Sequence, residues 1–357
     1  MTELTSYERI KRMYEHREAD RVPIIDDPWA STIERWTRQG MDRPFYEYFD
    51  IDRIISVGAD ITPRYEAKVI EETEEYTVFT SPWGVTMKNW KHIGGVPEFL
   101  DFTIKDEASW EEAKKRMVMG PERIDWRFLE ENYPKWRSAG EWLSANLWFG
   151  FDVTHSWMIG TEKVLLEIAF GSEWLQDVFN YCLDCSLALF ELMEERGYRF
   201  DEIMWYDDMG YKGRTFFSLD TYRKILKSVH KRACDWAKER GMKVHLHSCG
   251  DVHTFIPDLL EIGVEMLNPV EVKAGMDPAA LKKAYGDRLA FHGGINALLY
   301  NTPDKLWEEM ERLIPVMKEN GGYILSSDHS VPDCVTLEMF KKFTDIAKRL
   351  GRYQGGD

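Results

Sequence analysis

Two rhythms of apolar and polar positions run along the chain, and they change over near residue 141. Beyond that point, short apolar runs end in polar clusters: WLSANLWFG, EIMWYDDMG, KVHLHSCGD, MLNPVE, LAFHGGIN and YILSSDHSVP. Each has the length and the flanking turn residues of a buried strand. Between them, apolar residues recur at helical spacing, as in Leu175, Val178, Phe179, Leu183, Leu187, Phe190 and Met193. This spacing predicts helices over residues 173–196, 218–240, 254–262, 277–285, 303–319 and 337–350. Six strands alternating with helices every 20–35 residues or so imply parallel strands joined by right-handed crossovers. The first 140 residues are less regular. They predict helices over 6–17 and 31–39, a strand at VPIIDDPW, and charged helical patterns over 102–117 and 125–136. An alternating stretch over 66–89, broken at Pro82 and Gly84, reads as an inserted β-hairpin or small meander. One or two strands in the first 60 residues bring the total to eight. The fold class is therefore α/β, a (β/α)8 TIM barrel with N-terminal helical and β-hairpin additions. It is read as a single domain over 1–357, with N-terminal strands and the insertion in 1–140 and regular βα repeats in 141–353. The alternative, an open doubly wound sheet, lacks a Gly-rich phosphate turn to support it.

In a barrel of this kind, polar residues at the carboxyl ends of strands converge on one mouth. In KVHLHSCGD, His245, His247 and Cys249 stand at i, i+2 and i+4, which puts all three on one face of an extended chain. Imidazole beside thiolate at a strand end is a common start of a zinc site, so His247 and Cys249 are the first two predicted ligands. His245 lies one step deeper and is expected to pack or to support them. The third ligand is sought on a neighbouring strand end. His329, directly after its strand, ranks ahead of Cys334, which lies beyond Pro332, because rigid elements place ligands better. The other strand ends supply Asp26 and Asp27, then Tyr206, Asp207 and Asp208, then Asn268 and Glu271, then His292 and Asn296, and finally Asp328. Tyr206, Asp207, Asp208 and Glu271 are candidates for acid–base work or for orienting a substrate, and Glu271 is alternatively a fourth metal ligand. Asp207 and Asp208 are adjacent, so one of them faces the mouth and the other turns away. Asp26, His292 and Asn296 are candidates for cofactor binding, and Gly293-Gly294 after His292 would let a ligand approach the backbone. Cys182 and Cys185, one turn apart in an apolar-striped helix, and Cys234 read as core.

Composition narrows the class further. The net charge of −16 argues against a nucleic-acid partner. No run approaches a membrane span, and the charged N-terminus carries no apolar signal core. Five cysteines, an odd number without a framework, fit a reducing compartment. The expected location is cytoplasmic. The chain's 14 Trp, 16 Tyr and 18 Phe exceed what a core of this size needs, which favours a pocket for an apolar or aromatic ligand.

The chain resembles the uroporphyrinogen decarboxylase superfamily, and within it the cobalamin-dependent methyltransferase branch. The resemblance rests on EIMWYDDMG, on KVHLHSCGD with its following helix, and on GGYILSSDHSVPDCVTLEMFKKFTDIAKRLGRY. It covers residues 141–353 well and the first 140 loosely. It implies a (β/α)8 barrel in which the His-x-Cys element supplies two zinc ligands and a Cys after the last strand the third; here His329 holds that place, with Cys334 further on. The activity implied is methyl transfer between a small methoxylated or methylated compound and a corrinoid (cobalamin) cofactor carried by a partner protein. A His/Cys/His site would leave zinc a net +1, which favours demethylation of an ether. Trp29, Trp83, Trp148 and Trp205 are expected to line an aromatic pocket. A decarboxylase acting on a tetrapyrrole is the runner-up, set back by the absence of an Arg cluster in residues 20–50. A non-catalytic corrinoid or tetrapyrrole carrier is the third reading. A homodimer is left open.

Overall fold

The computed structural model of the chain describes residues 3–92 and 96–353. In chain order its strands are β1 (Ile54–Val57), β2 (Val69–Glu72), β3 (Tyr76–Thr80), β4 (Val85–Trp90), β5 (Glu98–Phe102), β6 (Trp142–Leu147), β7 (Glu202–Tyr206), β8 (Gly210–Tyr211), β9 (Arg214–Thr215), β10 (Lys243–His247), β11 (Met266–Asn268), β12 (Ala290–Ile295) and β13 (Tyr323–Ser327). Seven of them form one curled parallel sheet in the order β1-β6-β7-β10-β11-β12-β13. The apolar runs form parallel strands because helices cover the outer face, leaving the strands buried on both sides.

The eighth expected strand is not regular. Residues 21–27 run between β13 and the start of β1. Ile25 N donates to Leu325 O (3.0 Å), Leu325 N to Pro23 O (2.9 Å), and Asp52 N to Ile24 O (2.9 Å). Pro23 and Pro28 have no N–H to give a ladder, which limits this segment to isolated bridges at Arg21, Ile24 and Pro28. The Asp52 side chain adds to the join by accepting from Ile24 N (2.9 Å) and from Arg9 (2.9 Å) and Arg21.

Helix Ser6–Tyr14 closes the underside. Thr5 and Glu8 form a capping box at its start. Ile10, Met13 and Tyr14 pack against Trp142, Met266, Ala290 and Ile324, which point into the sheet's concave face. The register fixes which residues share that face: His245 lies beside Met204 and Met266, and His247 beside Tyr206 and Asn268.

The predicted hairpin is larger than its pattern showed. It is a four-stranded antiparallel sheet, β2-β3-β4-β5, and β5 takes the first residue of what read as a helix over 102–117. That helix begins at Glu107, capped by Asp106. The helix expected over 218–240 breaks at Leu226 into Leu219–Ile225 and Lys227–Glu239. A π-helical turn, Val153–Met158, and a helix, Thr161–Phe170, follow β6 where no element was expected. No helix among the described residues is long and apolar enough to cross a membrane.

Candidate metal centre

At the carboxyl end of β10 the alternation does what the sequence implied. His247 and Cys249 turn the same way, and Cys249 Sγ lies 3.4 Å from His247 Nε2. The third donor beside them is Asp208, at the end of β7, whose Oδ1 is 3.6 Å from His247 Nε2. Ligand atoms of these three residues all lie within 4.8 Å of one another. The neighbouring backbone holds the arrangement. Cys249 N donates to Asp208 Oδ1 (2.8 Å), and Gly250 N donates to Glu271 Oε2 (2.6 Å). His247 Nδ1 faces Asn268 Oδ1, and Asn268 in turn donates through Nδ2 to His292 O (2.9 Å). The Asn268 oxygen makes Nδ1 the protonated nitrogen and leaves the Nε2 lone pair facing the thiol and carboxylate, as a metal ligand requires.

The charge balance also fits a cation. Burial, then the charges of Asp208 and Glu271, push the Cys249 thiol far above its ordinary range. Burial raises the Asp208 carboxyl as well. A divalent ion reverses both tendencies, because it is bound by thiolate and carboxylate. Imidazole, thiolate and carboxylate are all zinc donors.

Two predicted ligands stand elsewhere. His329 is exposed and packs on Trp29, with ring centroids 5.9 Å apart. It borders the same cavity as His247 and Cys249, but its ring is not among the three donor groups that converge. Cys334 is exposed in the following loop. Both lie outside the cluster of three. The expected net charge changes with them: with Asp208 in place of His329, two anionic donors neutralise a divalent ion, so charge alone no longer favours an ether as methyl donor.

Asp207 is the partner that turns away. It is fully buried, accepting from Asp152 N (2.8 Å) and pairing with His230 Nε2 (2.7 Å). Tyr222 OH lies 3.2 Å from the other nitrogen of that ring. Asp207 therefore fastens helix Lys227–Glu239 to β7 and does not reach the mouth. Asn296 caps the 3-10 turn Ala297–Asn301 by accepting from Leu298 N (3.0 Å), which accounts for its side chain. Glu271 is spent on Gly250 N and on Lys273 (3.3 Å). The close approach expected at Gly293-Gly294 is made by the chain itself: Gly294 N donates to Pro269 O (3.0 Å), and a Cβ on Gly293 would strike that carbonyl.

Below the cluster opens a cavity of about 650 Å³. Its walls include Tyr206, Met204, Ile25, Asp26, Trp29 and Arg53, and its lower part is reached by His245 and His292. Tyr206 packs on His247, with ring centroids 4.6 Å apart. Asp26 accepts from Ser327 N (3.1 Å) and Oγ (2.9 Å), and burial pushes its carboxyl up to about 7. Burial and the neighbouring His245 lower His292 to about 3, so that ring is neutral. Of the four tryptophans expected here, Trp29 alone lines the cavity. Trp205 lies fully buried on the far face of β7 against Phe149 and His230, while Trp83 and Trp148 pack at the edge of the core.

Sequence reasoning also missed a floor beneath the cluster. Tyr14 OH donates to Glu202 Oε2 (2.5 Å), and Glu202 Oε1 lies 3.3 Å from His245 Nδ1. Glu202, Met204 and Tyr206 alternate along β7, so the same period that found His247 could have found Glu202. Tyr14 had no signal beyond the apolar stripe of its helix.

The family model described as "Uroporphyrinogen decarboxylase (URO-D)" matches residues 154–350, which hold β7 and β10–β13 together with Asp208, His247 and Cys249. Among solved structures, a methyltransferase from Methanosarcina mazei superposes with a TM-score of 0.66 at 16% sequence identity, over 97% of this chain and 99% of that one. No curated protein matches the chain.

Proposed function

The chain belongs to the uroporphyrinogen decarboxylase family, and on that footing we propose that it is a zinc-dependent methyltransferase, moving a methyl group between a small methoxylated or methylated compound and a corrinoid protein. The observation that carries the reading is the convergence of Asp208, His247 and Cys249 at the mouth of a deep, aromatic-walled cavity. The likeness in fold to a methyltransferase supports it. In the same reading, residues 21–27 are the eighth stave of a single-domain (β/α)8 barrel.

His247 Nε2, Cys249 Sγ and an Asp208 oxygen would hold the zinc, which would supply Lewis-acid polarisation of the heteroatom that carries the methyl group. The chain does the rest. Asn268 keeps His247 in the ligating tautomer. Tyr206 holds the imidazole from the cavity side. Asp26, with its carboxyl near 7, keeps a proton available to a departing oxyanion. The walls exclude water from a group that must meet cobalt rather than solvent. The tetrapyrrole decarboxylase reading is weaker at this site. The cavity presents Asp26, Asp27 and Asp328 against a single lining arginine, Arg53, which is a poor host for a polycarboxylate.

The experiment supplies a reduced corrinoid protein and a panel of methoxy and methylamine compounds to the zinc-loaded enzyme, and follows the cobalt absorbance. Methyl-cobalt should form with at least one donor and should vanish in Cys249→Ala. A zinc-loaded protein that methylates cobalt from no donor and accepts no methyl from methyl-cobalt ends the proposal.

A further inference from the structure

Among the described residues, five buried polar atoms on the sheet's concave face have no hydrogen-bond partner: Trp142 Nε1, Ser144 Oγ, Asn146 Oδ1, His245 Nε2 and His292 Nδ1. The strand registers place them on that face, since Ser144 and Asn146 pair with Glu202 and Met204, and Met204 pairs with His245. The two imidazoles stand with centroids 5.4 Å apart and both border the cavity. His245 is fully buried and His292 is 8% exposed.

Each ring's tautomer follows from what its other nitrogen faces. Tyr14 OH donates to Glu202 Oε2, and the other oxygen, Oε1, faces His245 Nδ1, so Glu202 accepts on both sides. His245 Nδ1 carries the hydrogen that Glu202 accepts, and in the neutral ring Nε2 presents a lone pair. His292 Nε2 faces Ile25 O at 3.5 Å, which likewise leaves Nδ1 as a lone pair. Leaving such buried acceptors unmet carries the full desolvation cost of each. A ligand that brings a hydrogen removes that cost. The Glu202 hydrogen bond polarises His245, making its Nε2 the stronger acceptor of the two. An ammonium group would be drawn first to the cavity's carboxylates. A hydroxyl suits a neutral nitrogen, and Tyr206, Met204 and Ile25 provide apolar walls for a flat ring.

We propose that the cavity floor is a hydroxyl-binding site in which His245 Nε2 accepts the O–H of a phenol, positioned by Glu202 and Tyr14, and that the ligand class is a hydroxylated arene. Resting on the methyl-transfer reading, the same ring would carry its methoxy group up to His247, two residues and roughly 7 Å further along the strand.

Binding, not turnover, tests it. Calorimetric titration of phenol, toluene and benzylamine into the zinc-loaded protein should show phenol tighter than toluene by about tenfold. The preference should fall to parity in His245→Leu. It should weaken in Glu202→Gln, whose amide donates to Nδ1 and turns Nε2 into a donor, leaving only the phenol oxygen, a poor acceptor, to meet it. Equal affinity for phenol and toluene in the wild type, survival of the preference in His245→Leu, or benzylamine as the tightest ligand overturns the site. The wild type offers an independent reading in case the buried variants misfold. Crystals soaked in 4-bromophenol should place the bromine by anomalous scattering and the hydroxyl within hydrogen-bond distance of His245 Nε2. A hydroxyl resting on Asp208 and Cys249, or a water between the two imidazoles that phenol fails to displace, also overturns it. Failure of methyl-cobalt formation leaves these binding results standing, while equal use of anisole and 4-methoxyphenol in a working methyl transfer would sink the floor site alone.

Discussion

A single alternation separates side chains with a task from side chains with a partner. His247 and Cys249 were legible because two residues per repeat is a hard rule of extended chain. Asp208 was legible only as one of a pair, since adjacency says that Asp207 and Asp208 diverge without saying which faces in. The burial of Asp207 against His230 settles that. Metal analysis should follow this geometry. Cys249→Ala, His247→Ala and Asp208→Ala should each lose zinc, whereas His329→Ala and Cys334→Ala should retain it at wild-type stoichiometry. Zinc lost on replacing His329 would mean that the loop after β13 folds back onto the cluster when metal binds. Asp207→Ala should behave differently, keeping a metal site in whatever protein folds but lowering stability by roughly 3–5 kcal/mol in urea denaturation, because it strands a buried imidazole.

Elements were easiest to read where burial is two-sided. The runs that became β6, β7 and β10–β13 are apolar throughout, and the helices between them repeat at 3.6. The first 140 residues yielded less, because their structure depends on contacts remote in sequence: residues 21–27 are placed by Leu325 and Asp52, and β5 exists because β4 is beside it. Turns carry a similar burden. Gly250, with φ of +84°, follows Cys249 directly, and a Cβ there would run into the backbone of Gly210 at the start of the β8–β9 hairpin. Gly250→Ala should therefore push the hairpin off the end of β10 and weaken zinc binding at least about tenfold with all three donors intact, since misplacing a ligand by an ångström is enough to spoil a site. Competition against a chromogenic chelator measures this directly. An unchanged affinity would show that the hairpin moves without carrying Asp208 or Cys249 out of place.

For the whole molecule, the acidic cavity ties stability to pH and to metal together. Asp26 moves from 3.8 to about 7 on folding, and burial raises Asp328 in the same direction even though Val272 N and Ala297 N donate to it. A carboxyl whose folded pKa is raised binds more protons folded than unfolded, so stability falls as pH climbs from about 4 to 7. For Asp26 alone the difference is of the order of 4 kcal/mol. Carboxylates held low by their partners act in the opposite sense but over another window. Asp258, at about 2 through Arg223 and Lys227, gives its stability above pH 4 and loses it only as pH falls toward 2. The two sets therefore separate. Metal-free protein should unfold at lower denaturant at pH 8 than at pH 5, and Asp26→Asn should flatten most of that slope. Zinc should restore the loss at pH 8, where its ligands deprotonate readily, by about 2.7 kcal/mol at a hundredfold excess over its dissociation constant. A metal-free stability that rises between pH 5 and 8 would mean that the cavity's acids ionise freely in the folded state, and the proton that Asp26 is said to hold for the reaction would not be there.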